Sequence, residues 1–418
     1  MSLDSYIASN RARAEQAAND AEAAANSISE SLVYKNAGNY LDNASDGGEA
    51  IQDAIDDLPA KGGKIIIPAD GPDDGVDTNG KTLSEDGVWK IRKPIMVDKP
   101  GVTIEGEAHG TMDINQDASS GTVLLTPDSS ATISKMFHFT SCGGCAMRDM
   151  RLDGGTGGIA NGNVNYGIEI DNEKSDAIFP FLLDNVYVAH QNLANLRLNG
   201  VNGIPNIVKV SNSTLTDCSG ANIVVDEAAS FSRLQLNNIT SSLSGRLLDL
   251  QDEISDVLVN NTLISANQNA TTVDAFRINA NIDSLYLNNI YEAGYDNSFL
   301  KVESGATIEA GGISNTYVTG MGRQNYFIDN QGSIKDFDLG SGIRVKNLTG
   351  SKYNNFKNDI NNTSRITIGG LGYNGSNDPS SAGDWNGNGE EGVRVLWDNR
   401  GYPTIAEYVD GTWYNRTL

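Results

Sequence analysis

The chain is poor in the residues that most often carry chemistry: three cysteines and three histidines in 418 residues. Cys142-Gly143-Gly144-Cys145 has the spacing of half a zinc site or of a redox pair, but Cys218 is the only other thiol and His138 the only imidazole nearby in sequence. A complete zinc ligand set is therefore missing, and buried or reduced thiols are expected. His109 and His190 stand isolated and are expected to be structural or superficial. No run approaches the ~18 apolar residues of a membrane span, so no insertion into a bilayer is expected. Basic residues are scarce too: 30 Lys and Arg face 54 Asp and Glu, 37 of them Asp, for a formal charge of −24. That balance disfavours nucleic acid and anionic membranes as partners. Leucine is too sparse for leucine-rich repeats, and the middle of the chain has no amphipathic stretches of helical spacing, which excludes helical repeats.

What the chain has instead is a period. Seven stretches read apolar, any residue, then Asn or Asp: Met147-Arg148-Asp149, Leu183-Asp184-Asn185, Val210-Ser211-Asn212, Leu236-Asn237-Asn238, Val259-Asn260-Asn261, Leu287-Asn288-Asn289 and Ile313-Ser314-Asn315. Their first residues are 36, 27, 26, 23, 28 and 26 positions apart, and looser echoes follow at Leu339-Gly340-Ser341 and Ile368-Gly369-Gly370. A steady period in the twenties marks stacked supersecondary units. Around the anchors the chain alternates, as in Leu234-Gln235-Leu236 and Leu285-Tyr286-Leu287, which is strand periodicity. Asn closing each strand suits a corner, because it tolerates left-handed backbone and its amide bonds locally. Stacked coils bring such amides to about 4.8 Å, near enough for a ladder. The pattern predicts an all-β chain, a right-handed parallel β-helix with roughly nine coils visible over 145–372.

Ahead of the repeats, Gly47 to Leu58 reads as a helix with Ile51, Ala54, Ile55 and Leu58 on one face. Gly62-Gly63-Lys64-Ile65-Ile66-Ile67-Pro68, Ile91 to Val97 and Gly101-Val102-Thr103-Ile104-Glu105-Gly106 follow. A capping helix, Gly-Gly, an apolar strand ending in Pro and a Val-Thr-Ile-Glu-Gly strand resemble the opening of the pectate-lyase-like superfamily of β-helices. The motif resemblance covers about 47–110, and it implies a helix that plugs the open end of the solenoid. It speaks to fold more than to activity, because lyases, hydrolases and viral tailspikes share this opening.

Both ends differ from the middle. Residues 3–33 are Ala-rich and free of Gly and Pro, which favours helix. Ile7, Ala14, Ala21 and Ile28 recur every seven residues, with Leu3, Asn10, Ala17, Ala24 and Ser31 as the companion seam, a heptad pattern. Either a helix folded back along the body or an intertwined, three-stranded stem fits it; the second is the expectation for 1–34. Residues 35–144 are assigned to the cap and first coils, 145–372 to the repeats, and 373–418 to a small C-terminal β-module. Trp385, Trp397 and Trp413 fall in that last segment, where they would form a small core, a trimer seam or a platform for sugar rings. Asp384-Trp385-Asn386-Gly387-Asn388-Gly389 matches half of a calcium loop. Val395 stands where the closing Glu of an EF-hand belongs, so Asp384, Asn386, Asn388 and Glu390 form either a non-helical calcium site or an ordinary polar turn.

Catalytic motif sets of the superfamily are incomplete. No Asp cluster followed by Arg, as in pectate lyases, is evident in the coils. Of the polygalacturonase series only Arg344-Val345-Lys346 is present, and Ala108-His109-Gly110 comes too early. Glu169, Asp171, Glu173 and Asp176 fall in the long first interval, where about ten residues are expected to loop out and offer a carboxylate pair. The combined features look like a tailspike or tail fibre of a tailed virus. The resemblance implies a homotrimer on the virion, outside the cell, joined to other virion structural proteins by its stem and bound to a host surface glycan or glycoprotein. A polysaccharide-degrading tailspike or secreted enzyme, and a purely structural head fibre or decoration protein, are the alternatives. No secretory signal opens the chain, so release by lysis is the simple route expected. The acidic excess suits solubility in high salt and hence a salt-loving source.

Overall fold

The computed structural model describes residues 33–69, 71–72, 88–107, 124–128, 133–140, 143–155, 164–171, 180–199, 207–226, 231–266, 273–294, 297–319, 326–340 and 342–343, with the backbone of seven later strands between 344 and 417. Residues 1–32 of the expected stem, and the candidate calcium ligands Asp384, Asn386, Asn388 and Glu390, lie outside the described residues.

The described chain is a parallel β-solenoid with three faces. Strands such as Gly63–Ile67, Val102–Gly106, Ile207–Ser211 and Phe231–Asn237 stack in parallel on the first face. Val88–Ile91, Leu124–Pro127, Thr214–Thr216 and Thr240–Ser244 belong to the second. The third face is a ten-stranded sheet running from Ile95–Val97 through Tyr166–Ile170 and Ala194–Asn199 to Phe356–Asn358. Long strands such as Ala146–Asp153 and Asn281–Ala293 bend from the first face to the second, skipping one pair at the corner and resuming in the same register.

That bend is the predicted corner. Asp149, Asn185, Asn212, Asn238, Asn261, Asn289 and Asn315 all hold φ between 47° and 58°, the left-handed region that Asn and Asp tolerate best. Their side chains form the ladder: Asn185 donates to Asp149 (2.6 Å), Asn238 to Asn212 (2.8 Å) and Asn289 to Asn261 (2.7 Å). Where direct stacking fails, the amide reaches the preceding position of the neighbouring coil, as Asn212 does to Asp184 (2.9 Å) and Asn315 to Asn288 (3.1 Å).

Alternation fills the interior with aliphatic and phenyl rows. Phe276, Phe299 and Phe327 come from three successive coils: Phe299 meets Phe276 edge-on at 5.2 Å and stacks on Phe327 at 5.3 Å. Among polar side chains inside, Asn195 donates to Asn222 (2.6 Å), which donates to Ser241 (2.6 Å), so burial is matched by bonding. Cys145 and Cys218 are buried thiols, as expected, and burial pushes both up to about 12.

The N-terminal end is plugged by the helix Gly47–Asp56. Asp46 accepts from the Glu49 amide (2.9 Å), while Glu49 accepts from the Ser45 amide (2.6 Å), a reciprocal cap of the two orphan donors. Ile51, Ala54, Ile55 and Leu58 face the core. Gln52 meets both the N–H (2.7 Å) and the C=O (3.2 Å) of Met96, covering the edge of the first third-face strand. Lys99 closes the other end of the helix on the carbonyls of Ile55, Asp56 and Leu58 at 2.7–2.9 Å. At the far end Leu371–Asn374 pairs antiparallel to Arg365–Ile368, and Gly392–Trp397, Pro403–Val409 and Thr412–Thr417 form an antiparallel three-stranded sheet.

Candidate functional site

The third face carries charge in register. Six of its strands place one charged or imidazole side chain between two buried apolar ones: Phe137-His138-Phe139, Ile168-Glu169-Ile170, Leu196-Arg197-Leu198, Leu248-Asp249-Leu250, Phe276-Arg277-Ile278 and Leu300-Lys301-Val302, with Val224 interrupting the row between Arg197 and Asp249. Pairing aligns His138 with Glu169, Glu169 with Arg197, Asp249 with Arg277 and Arg277 with Lys301. In the sequence the row's only signal is a set of apolar–charged–apolar triplets, less regular than the Asn corners.

The row is densest on its early coils. Lys135 Nζ lies 2.8 Å from Glu169, Arg197 reaches Glu169 at 3.5 Å and Asp226 at 2.8 Å, and the Arg197 guanidinium sits 4.9 Å over the Tyr166 ring. His138 Nε2 bonds Asp171 Oδ2. Connections leaving this end of the face are longest here: residues 171–180 separate Ile170 from Phe181, whereas 251–253 suffice between Leu250 and Ile254. The sequence placed Glu169 and Asp171 on a loop; instead they lie in and just after the strand Tyr166–Ile170, 3% and 6% exposed. Alternation explains the difference, since Tyr166 to Ile170 continues the inward row of its neighbours. Glu173 and Asp176 lie outside the described residues.

Nor are the two described histidines isolated. Between the second and third faces, His190 Nδ1 lies 2.8 Å from Asp153 and its Nε2 3.7 Å from Asp217, while Arg151 donates to Asp153 at 2.9 Å and covers the Tyr187 ring at 4.7 Å. His190 (φ 61°) and Asp217 (φ 48°) hold left-handed corners of their own. Burial works against the charge on Asp153, but the His190 hydrogen bond and charge, with Arg151 and the Gly155 amide, hold its carboxyl below the usual range. Burial likewise opposes the His190 cation, and Asp153 and Asp217 overcome it and raise its pKa. Asp217 is raised, chiefly by burial.

A third group is exposed. On the coils of Ile254–Ala266 and Asn281–Ala293, Leu263, Tyr286 and Tyr291 are 42–47% exposed. Tyr291 stacks on Tyr317 of the next coil at 5.2 Å. Tyr286 stands on the first face and Tyr291 on the second, so the two tyrosines flank the exposed Asn289 corner of the ladder. At the capped end a cavity of about 250 Å³ is lined by Asp46, Lys90, Arg92 and Asp128, and Arg92 there is already engaged with Asp128 (3.1 Å) and the Ser45 carbonyl (3.4 Å).

Fold and surface together define a three-faced parallel β-solenoid bearing polar, charged and aromatic rows along its length. No known family model and no curated protein sequence matches the chain. Among solved structures, the enzymatically active domain of tailspike protein 2 from bacteriophage CBA120 is similar in fold, with a TM-score of 0.53, 12% identity, and coverage of 93% of this chain and 70% of that one. The ORF18 protein of Geobacillus virus E2 aligns with a TM-score of 0.50 and 10% identity over 92% of this chain and 76% of its own. Both are viral proteins, and the shared feature is the solenoid.

Proposed function

We propose that the protein is a spike of a tailed virus that binds polysaccharide on the host cell surface along the side of its shaft. The observation that carries this reading is the pair of exposed tyrosines Tyr286 and Tyr291, with the half-buried Tyr317 stacked on Tyr291, beside the Asn261–Asn289–Asn315 edge. Tyrosine rings offer flat apolar faces to sugar rings, and amides offer both donors and acceptors to hydroxyl groups. Their spacing repeats with the coils, at about 4.8 Å, so successive units of one glycan chain meet equivalent groups. The solenoid likeness to tailspike protein 2 supports the same reading. Three copies assemble through the heptad of 3–33, which also joins the spike to other virion proteins. The formal charge of −24 fits a salt-loving host.

A printed panel of bacterial and archaeal surface polysaccharides tests the proposal, with the full chain compared against the Tyr291→Ala/Tyr317→Ala double variant. An aromatic contact contributes about 0.5–1.5 kcal/mol, so loss of both predicts roughly tenfold weaker binding or more. Solution mass of the variant is expected to be unchanged, which separates glycan contact from contact between copies. Failure of the parent chain to bind any polysaccharide, or equal binding by the variant, would overturn the reading. Should the parent chain shorten the polysaccharide it binds, a depolymerising spike replaces a simple adhesin.

A further inference from the structure

Two buried oxygens on two neighbouring coils of the third face accept no hydrogen bond: Asp171 Oδ1 and Asn199 Oδ1. Their residues are 6% and 8% exposed. A buried acceptor left unpaired costs about 1–3 kcal/mol, and more when charged. Beside them, Glu169 Oε2 is met by the Lys135 ammonium at 2.8 Å. Asp171 and Asn199 have no such neighbour for the oxygens in question among the described contacts.

Asp171 lies against an imidazole, since its other oxygen, Oδ2, bonds His138 Nε2. One ligand atom from each of His138, Glu169 and Asp171 can be chosen so that all three lie within 4.8 Å of one another. His138 and Glu169 are cross-strand partners. Ile170 pairs with Leu198, so the following residues, Asp171 and Asn199, are neighbours at the ends of the two strands. We infer that His138, Asp171 and Glu169, with Asn199 as an uncharged fourth donor, form a binding site for a divalent cation of the zinc or manganese class.

The donor set selects that class. An imidazole nitrogen suits zinc and other transition ions, while a purely oxygen-lined site would suit calcium or magnesium. Asp171 and His138 provide the strongest donors, because Glu169 is shared with Lys135 and Arg197. On binding, the direct His138–Asp171 bond is exchanged for two bonds to the ion. Lys135 and Arg197 then play the outer role of orienting Glu169, as partners of metal ligands commonly do. This site is separate from the tyrosine edge and stands whether or not that edge binds glycan.

The test uses the chelator-treated full chain, titrated separately with zinc, manganese and calcium chloride near neutral pH and followed by calorimetry and thermal melting. The expected result is one zinc or manganese ion per chain with a raised melting temperature, and calcium bound at least roughly tenfold more weakly. His138→Gln and Asp171→Asn are each expected to weaken binding by roughly tenfold or more, and Asn199→Asp to tighten it by adding a charge. Circular dichroism establishes that each variant is folded; if Asp171→Asn is not, Asn199→Asp and His138→Gln carry the comparison. Absence of zinc and manganese binding by the folded parent chain, preference for calcium, or equal binding by all folded variants would overturn the inference and leave a pure ion-pair network.

Discussion

At the scale of single residues, the corners are the most informative positions. Asn261 combines a left-handed backbone (φ 50°) with two ladder bonds, one donated to Asn237 (3.3 Å) and one accepted from Asn289 (2.7 Å). Asn261→Ala removes both bonds and also the short polar side chain that eases a left-handed backbone, which otherwise costs about 1–2 kcal/mol. Each bond adds about 1 kcal/mol. Urea unfolding is expected to show Asn261→Ala destabilised by about 2–4 kcal/mol and Asn261→Gly by about 1 kcal/mol less, since Gly relieves the backbone but not the lost bonds. Equal stability of the two variants would mean that backbone strain plays no part. These corners were legible because Asn is scarce in strands and recurs with a fixed apolar partner. The corners at His190 and Asp217 were not, because each uses a residue found in many other settings, and their carboxylate partners Asp153 and Asp217 are 37 and 27 residues away in sequence. Likewise Asp171 reads as part of an acidic loop until its place at the end of a third-face strand is known.

At the scale of elements, the first helix was legible in full: its apolar face, its Gly-Gly junction and its position before the first strand all appear in the structure. What the sequence does not show is how the helix grips the solenoid. Gln52 completes the hydrogen bonding of Met96, and Lys99 satisfies carbonyls at the helix end; both act across more than forty residues. The plug also carries a packing load, since Ile51 and Ile55 are fully buried. Ile55→Ala is expected to lower unfolding free energy by about 2–5 kcal/mol, visible as a lower denaturant midpoint with secondary structure retained before the transition. A cost below about 0.5 kcal/mol would show that the helix rests on the coils without sealing them. Strands of the first face were visible as alternation around the anchors, yet the row of charge on the third was not, because ion pairs between coils depend on register, which only the stacked structure reveals.

For the whole molecule, the proposed spike would join the solenoid to a stem that holds three copies and to a flank that meets glycan. A parallel coil stack resists bending because every strand is bonded on both sides except at the ends, where the helix at one end and an antiparallel strand pair at the other cover the edges. Such a shaft supplies reach. Acidity sets like copies apart along such a shaft, so in the proposed spike assembly rests on the heptad of the first residues. The mass of the purified full chain in high salt, measured with and without residues 1–34, tests this most directly. The account predicts a three-chain mass that falls to that of a single chain when the segment is removed. A single-chain mass in both cases would contradict the spike, and a three-chain mass in both would move the assembly from the stem to the shaft.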